Sequence, residues 1–449
     1  MSKQRIQLSD HFTYSRLLRF VLPCIGTMLF TSIYGIVDGL CVSNFVGKTA
    51  FAAVNLIMPL PMLLGTIGFM LGTGGSAIVG ITLGEGDQKK ADRYFTLFLL
   101  AALVSVSVLA VLGIVFLRPI AVLLGAKGEL LDYAVRYGRI LMVSLPTFAL
   151  QNMFQSFFVT AEKPHLGFWF TVGAGCTNMV LDVLMVGIWG WGVEGAAIAT
   201  FISQLVGGVL PVFYFIDRSN SSLLHLCKTS FYSKVLRDAC INGSSELMTN
   251  LSMSLVNILY NYQLLRLAGE NGVAAYGVIM YAAFLFVAVF VGYAVGSAPI
   301  VSFHYGARNH AEVHNLYRKS LRLIAVVAVT LTLASMFIIP CVARIFVGYD
   351  AELLALTSRA FRLYALSFLI MGFNVYASSF FTALGDGVTS ALISFLRTLA
   401  FQVIAILLLP LLLGIDGIWL AVTAAELAAL AVSAAMLLTK DKVFHYRKA

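Results

Sequence analysis

Charge is what this sequence has least of. Asp, Glu, Lys and Arg make up 11% of its 449 residues, against about 25% in soluble domains. That scarcity excludes the two or three water-soluble domains that length alone would allow. Cysteine is sparse too. The six residues Cys24, Cys41, Cys176, Cys227, Cys240 and Cys341 show no paired spacing, so neither a disulfide framework nor a cysteine metal site is expected. VGKT at 46–49 lacks the glycine that a P-loop needs at position 42, where Val42 stands. HAEVH at 310–314 sets His310 and His314 at i, i+4, but its glutamate is misplaced for the zinc-protease pattern. No Ser/His/Asp or Cys/His set gathers at one depth, which points away from an enzyme. No small-residue cleavage site precedes the first apolar run, so MSKQRIQLSDHFTYSRLLRF reads as a retained cytoplasmic lead-in.

What is abundant is apolar surface: 60% of residues are hydrophobic and the mean hydropathy is +0.91. Stretches of about 20 apolar residues, each able to cross a core of about 30 Å, follow one another along the chain. They are long, rich in Leu, Ala, Gly and Met, and do not alternate, which excludes a β-barrel. The expected fold is therefore an all-α polytopic membrane protein. Twelve transmembrane helices are predicted, near 15–42, 50–83, 92–117, 131–161, 165–187, 193–217, 234–267, 273–305, 315–339, 356–384, 388–411 and 417–439. The formal charge of +9 does not imply a nucleic-acid partner, because Lys and Arg cluster between spans as topogenic charge should. With the N-terminus inside, 20 Lys and Arg fall on inside segments and 9 outside, while Arg397 lies within a span. Both termini are expected in the cytoplasm of a multi-pass cell-membrane protein.

The longest hydrophilic connection falls halfway, which divides the chain into 1–217, a linker at 218–233, and 234–449. The halves repeat. AFAAVNLIMP at 50–59 returns as GVAAYGVIMY at 272–281, GGSAIVGITLGEGD at 74–87 as GSAPIVSFHYGARN at 296–309, and GVEGAAIAT at 192–200 as GIDGIWLAV at 414–422. SFF at 156–158 and the pair Arg136/Arg139 return one position later, as SFF at 379–381 and Arg359/Arg362. Six spans per repeat is an even number, so the repeats are parallel, an arrangement that places a substrate route between the halves.

Ionisable residues inside spans are few: Asp38, Asp182, Glu246, Arg397 and Glu426, with Glu194 at the start of the sixth span. Such residues mark functional sites by default, because lipid does not tolerate them; the alternative is a buried pair that steadies helix packing. That alternative is favoured for Glu426, Glu194 and Arg397, and Glu246 stands between the two readings. Asn178 and Asp182 share one face of the fifth span, as Tyr34 and Asp38 do on the first. Thr200 follows on the sixth span. The repeat places Tyr260, Ala400 and Ile404 opposite Asp38, Asn178 and Asp182, so the polar set is confined to the first half. All-oxygen groups suit a hard cation such as Na⁺, or a proton shared between carboxylates. Pro23 removes a backbone hydrogen bond fifteen residues before Asp38 and makes the first span easy to bend.

The first-span pattern IYGIVDGLCVSNFVG, the following AFAAVNLIMP, the GTGGSAIVGITLGEGD turn and the two six-span halves resemble the multidrug and toxic compound extrusion (MATE) family, on its MepA-like and DinF-like side. The resemblance implies two lobes forming a V around a central cavity. It also implies export of organic, often cationic, compounds in exchange for H⁺ or Na⁺, with no other cofactor. It maps a cation-coupling site onto Asp38, Asn178, Asp182 and Thr200, with Tyr34 beside them and Pro23 as the hinge. Glu246 matches a seventh-span acid of the NorM-like branch and, with Arg397, forms a possible C-lobe polar site. The tenth-span acid of that branch has no counterpart in 363–385. Aromatic and Met side chains suit bulky apolar cations, and Met58, Phe154, Phe157, Tyr260, Tyr281 and Asn374 are the candidates for lining the cavity. The expected partners are small organic molecules and the bilayer, with the protein acting as a monomer. The alternative is a flippase for a lipid-linked or polyanionic substrate, for which more cavity cations than Arg397 are expected.

Overall fold

A computed structural model describes residues 6–46, 48–348 and 350–447. The chain is all-helical, with no strand among the described residues. The first span is one helix, Tyr14–Phe45, continuous through Pro23. The second is Lys48–Ile57 followed by Pro59–Gly84; it breaks at Met58 because Pro59 and Pro61 bring no N–H to the ladder. The third, Gln88–Leu123, starts where the Asp87 side chain accepts from the Lys90 amide. The fourth is Glu129–Thr160. The fifth, Pro164–Asp182, runs on as a π-helical segment, Val183–Ile188. The sixth is Gly192–Gly208 with Leu210–Ile216.

In the second half, Ser233–Asn242 leads into Ser244–Gly306. As one rod, those 63 residues would span about 95 Å, three times a bilayer core. Gly269 prevents this. Its φ of 61° and ψ of −150° are open only to glycine, and the chain folds back there. Tyr260 and Tyr276 accordingly stack at 5.0 Å, although along a straight helix they would stand about 24 Å apart. The segment is therefore the seventh and eighth spans. The ninth span is His310–Val347. The tenth is Ala351–Ala365 with Phe368–Ala383, bent by 46°. The eleventh joins Gly387–Phe395 to Phe401–Leu413 through a second π-helical segment, Leu396–Ala400. The twelfth is Ile415–Thr439.

By length and hydropathy, nine described helices, or ten with the bent pair, are able to cross a membrane. Dividing Ser244–Gly306 at Gly269 adds one, and Glu129–Thr160 adds the last. The latter carries Glu129, Asp132, Arg136 and Arg139 in its opening turns but is uncharged from Ile140 onward.

The duplication is visible in side chains. Arg136 pairs with Glu194 at 3.8 Å in the first half, and Arg359 pairs with Asp416 in the second. Asp87 and Asn309 cap the third and ninth helices in the same way. YSRLLR at 14–19 and YSKVLR at 232–237 open the first and seventh spans. Each lead-in crosses to the other half. Before the first span, the Phe12 amide donates to Glu312 and the Lys319 ammonium donates to the Phe12 carbonyl at 2.6 Å. Before the seventh, the His225 and Cys227 amides donate to Asp92 and Thr96. The linker is thus a docked strap rather than a free tether. Both chain ends meet at the start of the ninth helix, where His314 Nδ1 lies 3.0 Å from the Tyr446 carbonyl and Glu312 holds His11. That side is called the terminal face below. Close to it the halves touch, with the ends of the second and eighth spans in backbone contact and Asn242 donating to the carbonyls of Gly74 and Thr382.

Candidate functional site

The fifth span places its two polar groups one turn apart. Asn178 is 2% exposed and Asp182 is 0% exposed, and the helix passes into its π-helical segment directly after Asp182. Irregular turns of this kind widen a helix where function needs it. Asn178 Nδ2 donates to the Thr200 hydroxyl at 3.5 Å. Thr200 in turn donates to the Ala196 carbonyl at 3.0 Å, and Ser203 donates to the Thr200 carbonyl at 2.7 Å. The first span approaches from the other side: a Cβ on Gly175 would touch the Phe30 and Tyr34 rings, so Tyr34 lies within a turn of Asn178. Asn178 thus meets Thr200 on the sixth span with Tyr34 of the first span a turn away, and Asp182 follows one turn along the fifth. Position 38 lies on the same helix as Tyr34, one turn further along; the Asp38 side chain lies outside the described residues. Pro23 is buried, and its carbonyl accepts from the Thr27 hydroxyl at 2.9 Å.

The second half holds a different arrangement. Arg397 sits in the eleventh-span π-helical segment and pairs with Glu426 at 3.9 Å. Glu426, 2% exposed, also accepts from Asn374 Nδ2 at 2.7 Å, and Asn374 accepts from Ser433 at 2.9 Å. Glu246 on the seventh span lies within electrostatic reach of Arg397. These groups form a buried network of charge and amide that joins the tenth, eleventh and twelfth spans. Glu194, by contrast, is an exposed partner of Arg136.

The remaining candidates are dispersed. Phe154 and Phe157 are fully buried in an aromatic cluster with Phe95, Phe158 and Phe215, within the first half. Tyr260 stacks on Tyr276, also buried. Asn374 belongs to the Glu426 network. Met58 is half-buried at the second-span break, and Tyr281 is exposed beside Phe346. Sequence reasoning missed Glu312, a 6% exposed carboxylate that receives His11 Nδ1 at 2.6 Å, the Phe12 amide at 2.9 Å and Asn315 at 2.8 Å. The available signal was the cap pattern Asn309-x-x-Glu312, which overlaps HAEVH.

The sequence profile of the MatE family matches the chain twice, over residues 23–184 and 247–408, one match to each half. The chain belongs to the MatE family. It is a membrane transporter of the MATE class and not an enzyme. The multidrug export protein MepA of Staphylococcus saprophyticus subsp. saprophyticus is 21% identical over 436 residues, 96% of this chain and 95% of that protein. The multidrug export protein MepA of Staphylococcus aureus strain MSSA476 is 22% identical over 433 residues, with the same shares covered. Among solved structures, a MATE protein in complex with MaL6 superposes with a TM-score of 0.92 at 22% identity, over 100% of both chains. A multidrug resistance MATE family transporter of the MOP superfamily in an outward-facing conformation gives the same TM-score, identity and coverage. These likenesses establish the MATE fold, twelve helices in two lobes. In this MATE protein the Asn178–Thr200 contact belongs to the first lobe and the Arg397–Glu426 pair to the second.

Proposed function

We propose that this MATE protein exports lipophilic, largely cationic small molecules in exchange for H⁺ or Na⁺, with coupling at Asp38, Asn178, Asp182, Thr200 and Tyr34. The observation that carries the reading is the burial of Asn178 and Asp182 one turn apart, with Asn178 bonded to Thr200. Their repeat positions are Ala400 and Ile404. A cation-binding set on one lobe alone is what a coupling element requires, whereas a packing requirement would recur in both. Multidrug export is also the function in the names of the MepA relatives.

Two carboxylates at one depth in a low dielectric resist simultaneous ionisation, so the set gains from one bound cation. Loading it removes net charge from the first span, and Pro23 gives that helix a second shape to adopt. Substrate binding must then weaken cation binding by the same factor as the reverse. The lobes are residues 1–217 and 234–449, joined by 218–233, and the terminal face is cytoplasmic in a monomer of the cell membrane. Glu246 and Arg397 form a C-lobe polar site whose cation is tied to Glu426. A polyanion-carrying flippase is less well supported, since it would need Arg397 free.

The test is dye efflux from vesicles carrying the full chain, with pH and Na⁺ gradients imposed separately. Asp38→Asn and Asp182→Asn are expected to abolish gradient-driven efflux, while membrane insertion and dye binding persist. Wild-type efflux rates in Asp38→Asn would overturn the mechanism.

A further inference from the structure

The two crossing straps dock at equivalent places with different outcomes. At the ninth helix, Glu312 accepts from His11 and the Phe12 amide, and Lys319 donates to the Phe12 carbonyl, so the strap is bonded directly to the helix. At the third helix there is instead a cavity of about 440 Å³, lined by Lys89, Asp92, Arg93, Arg218, His225, Cys227 and Lys228. Its floor is built. Asp92 accepts from the His225 amide at 3.0 Å and from Gln88 at 3.3 Å, and the Cys227 amide donates to Thr96 at 3.1 Å. Its walls are cationic. Lys89, Arg93, Arg218 and Lys228 are all exposed, and none pairs with a carboxylate within 4 Å among the described residues. The nearby Asp217 turns to the Ser219 amide and hydroxyl. His225 Nε2 is buried without a hydrogen-bond partner.

Four cations against one lining carboxylate, itself engaged, exceed what topology requires. Topogenic charge needs only to be on the right side of the membrane, not gathered around a hollow with a fixed floor. The depth is also specific. The third helix begins at Gln88 and the sixth ends at Ile216, so the cavity stands where both spans leave the bilayer, at the level of lipid headgroups. Basic pockets at that level recognise anionic headgroups, and guanidinium groups bind phosphate through paired donors.

We propose that this cavity binds a phosphate-bearing anion, presented as the headgroup of an anionic phospholipid in the leaflet of the terminal face. The bound headgroup bridges the third span to the strap that enters the second lobe, so lipid charge acts on the link between lobes. The site is separate from the proposed coupling set and does not depend on which ion that set takes.

The test uses the purified full chain reconstituted in equimolar phosphatidylcholine and phosphatidylglycerol vesicles, then extracted and examined by native mass spectrometry for retained lipid. Wild type is expected to retain phosphatidylglycerol in preference to phosphatidylcholine. Arg93→Gln/Arg218→Gln should reduce that preference about twenty-five-fold, at about five-fold per cation, and Lys89→Gln/Lys228→Gln should do the same. Lys234→Gln/Arg318→Gln, with equal charge loss outside the cavity, should leave it unchanged. In a second arm, glycerol 1-phosphate is added to the protein in detergent. Displacement of phosphatidylglycerol by millimolar amounts, with thermal stabilisation of wild type only, would support the phosphate site and assign it a soluble source. Equal loss of preference in the control pair overturns the proposal. So does the absence of both lipid preference and phosphate stabilisation in wild type.

Discussion

Gly84 and Gly306 make the same contact from opposite lobes. A Cβ on Gly84 would collide with the Phe303 carbonyl, and a Cβ on Gly306 would collide with the Ile81 carbonyl. Both members of each contact are 222 positions from their counterparts in the other, so these four residues mark the pseudo-twofold relation between the lobes. Small residues let helix backbones approach where lipid supplies no hydrophobic driving force. Gly84→Val and Gly306→Val are each expected to cost about 1–3 kcal/mol through overpacking, by similar amounts. Thermal unfolding of the purified protein measures this. Gly277→Ala is the control, because nothing lies within 4 Å of its added Cβ; an equal loss there would refute the role of the contact.

Arg397 is the cationic partner of Glu426 in the second-lobe network, at 3.9 Å. Arg397→Met leaves Glu426, 2% exposed, without its cationic partner, which costs about 3–5 kcal/mol. Arg397→Met/Glu426→Gln should recover most of the loss, since an amide at 426 still accepts from Asn374. Unfolding of the four proteins of this cycle gives the coupling. Failure of the double variant to recover would show that Arg397 acts by packing and not by charge.

Glu312 anchors the N-terminal strap through two of its donors, His11 and the Phe12 amide, while its third, Asn315, lies on its own helix. Glu312→Ala orphans the amide of Phe12, a residue 0% exposed, at a cost of about 2 kcal/mol. Limited proteolysis at Arg16 is the readout, with cleavage expected to accelerate at least ten-fold. An unchanged cleavage rate would mean that the other contacts of the strap hold it without Glu312, namely the bonds of Lys319 and Asn315 to the Phe12 carbonyl and of the Leu8 amide to Glu162.

Asp386, in the turn before the eleventh span, gives a pH signature. Burial by itself would push its carboxyl up, but Lys440 and the Thr389 hydroxyl and amide outweigh this and hold it below the usual carboxylate range. A lowered folded-state pKa adds stability above the unfolded value of about 3.9, and that stability is lost as pH falls through the folded value. Asp386→Asn should therefore cost about 1 kcal/mol at neutral pH, and that cost should shrink as pH falls through the folded-state value. Unfolding curves at pH 7, 5 and 3 test the sign; a gap that widens on acidification would contradict it.

Much of the architecture was legible in the residues. Run length and charge bias located twelve spans, and the 222-residue offset separated the lobes. The i, i+4 spacing of Asn178 and Asp182 predicted a shared face, which the Asn178 contact to Thr200 now connects to the sixth span. Arg397 and Glu426 were legible as candidates for a buried pair, but their connection through Asn374 was not. Tyr260 and Tyr276, Arg397 and Glu426, and Glu312 and His11 are distant in sequence or of ambiguous role, and no local pattern joins them.

The sequence by itself determined what must leave water, how often the chain crosses, and that the halves share an origin. Those depend on hydrophobic run length and helical period, which are properties of consecutive residues. Only the tertiary structure decided that the straps exchange lobes, that Tyr260 stacks on Tyr276 across the turn at Gly269, and that four cations gather around one hollow at the third helix. These depend on which helix faces meet, and burial of polar groups at such contacts is a balance struck between segments hundreds of residues apart.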